Sequence, residues 1–135
     1  SLYMTYGTMT GSIPTEFGKL SRLQELRIYD HQLEGTIPTE LGQLTALTAL
    51  DVASNALTGT LPTELGELTA LSALYGNSNQ LNGTVPIELS RSTALEKLWL
   101  YENSLTGNIP TELGKSSRLK ELLMHTNQLE GTIPT

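Results

Sequence analysis

Leu23, Leu47, Leu71, Leu95 and Leu119 fall at a constant interval of 24 residues, and their neighbours recur with them. One unit reads Leu47-Thr48-Ala49-Leu50-Asp51-Val52-Ala53-Ser54-Asn55-Ala56-Leu57-Thr58-Gly59-Thr60-Leu61-Pro62-Thr63-Glu64-Leu65-Gly66-Glu67-Leu68-Thr69-Ala70. Gly11, Gly35, Gly83, Gly107 and Gly131 share the Gly59 column, and Pro14, Pro38, Pro86, Pro110 and Pro134 share the Pro62 column. A unit this short cannot offset the entropy of ordering its own backbone with the few apolar side chains it carries. It has to bury them against a neighbour, so the chain must fold as a stack of turns sharing one core. The whole chain 1–135 is expected to be one domain, divided as partial 1–22, then 23–46, 47–70, 71–94, 95–118, and partial 119–135. Both ends fall inside a unit and show no polar cap, which reads as a segment of a longer array.

Within a unit, Leu50-Asp51-Val52-Ala53 alternates apolar and variable residues, as a strand with one buried face does. Equivalent segments in successive turns would pair into a parallel sheet. Pro62-Thr63-Glu64-Leu65 suits a short helical turn on the opposite side: proline is tolerated at the first helical position, and an early glutamate favours the N-terminal dipole.

The pattern Leu-x-x-Leu-x-Leu-x-x-Asn-x-Leu-x-Gly-x-Ile-Pro resembles the plant-specific class of leucine-rich repeats, as found in receptor-like kinase ectodomains and polygalacturonase-inhibiting proteins. The resemblance covers essentially the whole chain. It implies an α/β repeat fold: a leucine-rich-repeat solenoid, wound as a right-handed superhelix, with a concave parallel β-sheet and short helical turns on the convex side. It also implies a second short strand around Thr58-Gly59-Thr60, recognition by exposed concave residues, and secretion or display at the cell surface. It does not name the ligand, because one scaffold hosts many functions.

Composition narrows the partners. A net charge of −6 and a pI near 4.8 argue against nucleic acid and anionic membranes, which need a basic surface. No apolar run approaches the roughly 18 residues of a membrane span, so no direct membrane insertion is expected of this segment. With no cysteine there are no disulfides and no thiolate metal sites. No phosphate-binding loop, nucleophile elbow or His-Glu-x-x-His is present, so neither an enzyme nor a cofactor is expected.

Several columns read as structural. Asn55, Asn79, Asn103 and Asn127 sit where the chain leaves the strand, and an amide there can satisfy turn groups that would otherwise be buried unpaired. Gly7 and His31 stand in that column in the first two units, so the ladder should weaken there, with His31 a substitute hydrogen-bonding residue or a solvent-facing one. Glu16, Glu40, Glu64, Glu88 and Glu112 form a line of single carboxylates, whereas calcium takes its oxygens around a point; this is a solvated row and no metal site. His31 and His125, about four strand spacings or roughly 19 Å apart, cannot share a metal. Gly76 replaces a buried strand residue, so it should leave a gap or permit a bulge or a close backbone approach, which makes the fourth unit the expected irregularity. Ser92 and Ser116 replace leucines and should loosen the convex side.

Two columns should face outward from the concave sheet. The first is Tyr3, Arg27, Asp51, Tyr75, Trp99, Leu123, and the second Thr5, Tyr29, Ala53, Asn77, Tyr101, His125. They hold the only tryptophan and four of the five tyrosines. Tyr75, Trp99, Tyr101 and His125, extended by Arg27 and Tyr29, are therefore the expected contact with a protein or peptide ligand, since Trp, Tyr and Arg dominate binding hot spots. A carbohydrate could stack on the same platform. Asn82-Gly83-Thr84 is a candidate glycosylation sequon away from these columns. Two other functions compete: a structural spacer in a cell-surface or wall protein, and ice binding through Thr58, Thr60, Thr84 and Thr106 in the side rows, which Glu34 and Glu130 interrupt.

Overall fold

The computed structural model describes residues 1–133, so Pro134 of the proline column lies outside the described residues. Each turn of chain contributes a strand to one parallel six-stranded sheet: Leu2–Thr5, Glu25–Tyr29, Ala49–Asp51, Ala73–Tyr75, Lys97–Trp99 and Glu121–Leu123, neighbours in that order. The pairing is in register from turn to turn, with Leu26 beside Leu50, Leu50 beside Leu74 and Leu74 beside Leu98. A second set of short strands lies downstream in each turn. Thr58–Thr60, Gln80–Gly83, Ser104–Asn108 and Gln128–Glu130 form a four-stranded sheet, and Thr10–Ser12 pairs separately with Gln32–Glu34. The fold is a leucine-rich-repeat solenoid.

The middle strand is shorter than alternation suggests and starts one residue earlier, covering Ala49–Asp51 instead of Leu50 to Ala53. The ladder nevertheless runs on past its end, through the bonds Val52 N–H to Tyr75 O at 2.9 Å and Ser54 N–H to Asn77 O at 3.0 Å. The helical turns are five-residue 3₁₀ segments such as Thr63–Glu67, and Pro62 lies just before the first helical residue, with φ −63°. The proline that was expected inside the helix instead sets the extended entry to it. Its carbonyl accepts from the Leu65 N–H, so the turn is tied at its start by backbone alone.

The core is a column of leucines. Leu47, Leu50, Leu57, Leu65, Leu68 and Val52 are fully buried, and their counterparts in adjoining turns stack on them. At about 1.5–3 kcal/mol for each buried aliphatic side chain, this column is the main source of cohesion. The gap expected at Gly76 is absent: an added Cβ would lie 3.2 Å from Leu100 Cδ2 and 3.6 Å from Leu81 Cδ1, so neighbouring leucines already fill the space. The fourth unit keeps its register, with the Gly76 N–H donating to Trp99 O at 2.9 Å. Ser92 is fully buried, and its hydroxyl donates to Leu68 O at 3.0 Å. The convex side is nevertheless looser there, as expected: the 3₁₀ turns Ile87–Arg91 and Thr111–Lys115 touch less closely than the earlier neighbouring turns do. The Ser116 hydroxyl is buried without a partner.

The asparagine column ties the turns together. Asn55 Oδ1 accepts from Leu33 N–H at 3.0 Å, while its Nδ2 donates to Ile28 O at 2.9 Å and Ala53 O at 3.0 Å. Asn79, Asn103 and Asn127 repeat this arrangement. The preceding residue in each turn (Asp30, Ser54, Ser78, Glu102, Thr126) has φ between 52° and 57°, a left-handed kink that brings the amide back under the strand. His31 is neither a substitute donor nor solvent-facing. Both ring nitrogens are buried without a partner, and the ring fits only because the residue next to it in the stack is Gly7, whose Cβ would lie 2.7 Å from His31 Cε1.

Candidate functional site

The side chains that face away from the core on the six-stranded sheet are set by alternation: Leu98 and Leu100 are fully buried, so Trp99 between them points outward. Parallel register then lines up Tyr3, Arg27, Asp51, Tyr75, Trp99 and Leu123 in adjacent strands. Four aromatic or ring residues form one run. Tyr75 meets Trp99 edge-on at 4.8 Å between centroids, Trp99 meets Tyr101 at 6.4 Å, and Tyr101 stacks on His125 at 4.7 Å with planes 12° apart. These geometries are the favourable ones for ring quadrupoles.

The run is held in place by charge. Trp99 Nε1 donates to Glu121 Oε2 at 3.0 Å, and Lys97 Nζ lies 2.9 Å from Glu121 Oε1 and 5.8 Å from the Trp99 ring centre. The hydrogen bond from Lys97 holds the Glu121 carboxyl below its ordinary value. Trp99 is thus half-buried and oriented, more engaged than a free surface ring, although it is no part of the core.

Arg27 and Tyr29 lie apart from this run, across Asp51. Arg27 pairs with Glu25 at 2.9 Å and sits 5.8 Å from the Tyr3 ring centre, while Tyr29 packs edge-on against Tyr6 at 5.5 Å. Tyr6 falls outside both outward columns, at a left-handed turn residue, and only the folded chain brings it to the face. Between the two aromatic groups is a hollow of about 240 Å³, bounded by Arg27, Tyr29, Tyr75 and Trp99, with Asp30, Asp51 and Asn77 also lining it. Asn77, expected to face outward, is only 6% exposed, and its Oδ1 is buried without a partner. Asp51 and Asn77 stood in the outward columns, but nothing in their residue type separated them from solvent-facing polar residues.

Burial raises the Asp51 carboxyl above its ordinary value, against a hydrogen bond from Ala53 N–H at 3.2 Å and the attraction of Arg27. The folded chain therefore holds this proton more tightly than the unfolded chain. That contribution favours folding fully below the unfolded value of about 4 and is lost as pH rises through the folded value. Asp51→Asn, which keeps an acceptor for Ala53, is expected to raise the thermal midpoint at pH 7. The gain should shrink as pH falls through the raised folded value and be gone below about 4. Melts of both proteins across that range check this, and a lower midpoint for the variant at pH 7 would contradict it.

Asn82 is exposed in the second sheet, away from this face. On the same side, the Thr58 hydroxyl is bonded to Gly35 O at 3.2 Å. No group of three His, Cys, Asp or Glu able to hold a metal occurs among the described residues. No helix among them is long and apolar enough to cross a membrane.

Residues 14–133 match the family model for a leucine-rich repeat region. No curated protein matches the chain. Among solved structures, the plant peptide hormone receptor RGFR1 in complex with RGF2 is similar at 40% identity and a TM-score of 0.93, over 94% of this chain and 20% of that one. The Arabidopsis receptor kinase HAESA, in complex with the peptide hormone IDA and the co-receptor SERK1, is 34% identical with a TM-score of 0.91, over 94% of this chain and 22% of that one. The leucine-rich-repeat ectodomain of the receptor kinase SOBIR1 from Arabidopsis thaliana is 29% identical with a TM-score of 0.83, over 95% of this chain and 67% of that one. The chain thus spans about a fifth of the length of the first two. With its repeat columns, its in-register parallel sheet and these similarities together, the chain belongs to the leucine-rich-repeat family and is of the type found in plant receptor-kinase ectodomains.

Proposed function

We propose that the chain is a non-catalytic module that binds a peptide or protein ligand outside the cell, through the outer face of its six-stranded sheet. The observation that carries this is the continuous run Tyr75, Trp99, Tyr101 and His125, fixed by Glu121 and Lys97. A rigid, pre-oriented aromatic surface loses little side-chain entropy on contact, and such residues dominate binding energy. Arg27 and Tyr29 extend the surface across the hollow. The similarity to receptors solved with peptide hormones supports the same reading.

The test compares wild type with Trp99→Ala in capture of the partner by the immobilised protein, followed by affinity measurement. Affinity is expected to fall by about 2 kcal/mol or more, roughly thirtyfold. The stability loss should stay near 1 kcal/mol, because the ring lies outside the core but packs against Tyr75 and bonds Glu121. Full affinity in the variant would move the site off this face. No partner at all would favour a spacer role.

A further inference from the structure

The hollow between the two aromatic groups has a composition that selects a ligand chemistry. Asp30, Asp51 and Asn77 line it together with Tyr29, Tyr75 and Trp99. Arg27 also lines the hollow, but Glu25 neutralises it through two contacts, Nε to Oε2 at 3.0 Å and Nη2 to Oε2 at 2.9 Å. Neither Asp30 nor Asp51 forms an ion pair among the described residues. The local balance is therefore two uncompensated carboxylates.

Asn77 gives an independent indication. Its side chain is only 6% exposed, and its Oδ1 has no partner. The orientation of the amide is fixed by its neighbour: the Ser78 hydroxyl spends its hydrogen on Glu102 Oε2 at 2.8 Å, so Ser78 Oγ can only accept from Asn77 Nδ2, at 3.3 Å. The oxygen is left as the unused group. A buried acceptor without a donor costs about 1–3 kcal/mol, and a ligand donor removes that cost.

We infer that this hollow receives a basic side chain of the bound peptide, with an arginine guanidinium stacked against Trp99 and Tyr75 and its N–H groups directed to Asp51, Asp30 and Asn77. The inference rests on the reading of this face as the peptide-binding surface. Guanidinium suits the site better than ammonium because it is planar, stacks on rings and presents several donors in a fixed fork. A hollow of about 240 Å³ gives such a head and the end of its stem room.

The single tryptophan makes the experiment direct, because intrinsic indole fluorescence comes from Trp99 alone. The full chain is titrated with acetyl-arginine-methylamide and, in parallel, with the neutral isostere acetyl-citrulline-methylamide. The arginine probe is expected to give a saturable change and the citrulline probe none. Asp51→Asn, which keeps the acceptor to Ala53, should weaken arginine binding by about tenfold or more while melting at or above the wild-type midpoint. Asp30→Asn should weaken it by a smaller factor, since Asp30 is the more exposed of the two. Equal responses to the two probes, no saturable response to arginine, or unchanged affinity in a folded Asp51→Asn variant would each overturn the inference. If the arginine probe fails while Trp99→Ala still weakens partner capture, the basic-side-chain inference falls and the binding face stands. If Trp99→Ala leaves partner capture intact, the binding face itself falls.

Discussion

Gly66→Ala is expected to lower the stability of the chain by about 3 kcal/mol or more, a large effect for a single added methyl. Gly66 is buried in the 3₁₀ turn Thr63–Glu67, where the next turn of the solenoid passes directly over it. A Cβ built there would sit 2.6 Å from Glu88 Cβ and 2.7 Å from the Glu88 carbonyl carbon, and would overlap the carbonyl oxygen. The obstructing atoms are mostly backbone, so no rotamer change relieves the clash; the two turns have to separate. The opposing effect is small. Gly66 is not among the glycines with positive φ, so alanine can adopt its conformation, and the lower entropy of the unfolded chain would favour the variant by only about 0.4–1 kcal/mol. Packing decides the sign. Denaturant midpoints of Gly66→Ala and of the surface variant Lys115→Ala give the comparison, and a Gly66→Ala midpoint at or above wild type would show that adjacent turns are not packed this closely. Gly42 meets Glu64 in the same way, so Gly42→Ala should behave alike.

The difference between Gly66 and Gly76 shows what the sequence alone could convey. Periodicity made the solenoid, the parallel sheet and the outward columns legible, because each depends only on which residues recur every 24 positions. What a glycine or a histidine meets in the next turn depends on distances that periodicity does not carry. At Gly76 the sequence leaves a gap, a bulge and a close approach all open, and only the folded chain shows that Leu81 and Leu100 fill the space. His31 looked like a substitute for asparagine, yet its ring stacks over Gly7 with both nitrogens unpaired.

The left-handed turn column was illegible for a different reason. Tyr6, Asp30, Ser54, Ser78, Glu102 and Thr126 share a backbone conformation and no side-chain chemistry, so the column looks merely variable. Similarly, Tyr75, Trp99, Tyr101 and His125 could be placed side by side from strand alternation. The hollow next to them could not, because it depends on Asn77 being covered and on Arg27 turning to Glu25.

Asn103→Ala is expected to cost about 3 kcal/mol, at the upper end of what one unsatisfied buried group costs, because the amide serves four backbone groups in successive turns. Its Oδ1 accepts from Leu81 N–H at 2.9 Å, and its Nδ2 donates to Gly76 O at 3.0 Å, Leu100 O at 3.1 Å and Tyr101 O at 3.3 Å. Alanine leaves the Leu81 donor without this partner inside the stack, where water cannot easily replace it, and leaves the Gly76 carbonyl with only the longer bond from Asn79 Nδ2 at 3.3 Å. Asn103→Asp separates the two halves of this role. A carboxylate still accepts from Leu81 but faces three carbonyl oxygens with no hydrogen to offer, so it should be at least as destabilising as alanine at pH 7. It should recover part of the loss in acid, once the protonated carboxyl can donate. The second turn, where His31 stands in the column, shows that a unit can be built without the amide; the penalty is therefore one of stability, and the folded Asn103 variants should keep the parallel sheet. Denaturant midpoints for Asn103→Ala and Asn103→Asp, with Lys115→Ala as the surface reference, provide the measurement. If Asn103→Ala and Lys115→Ala coincide, the amide is not what holds successive turns together.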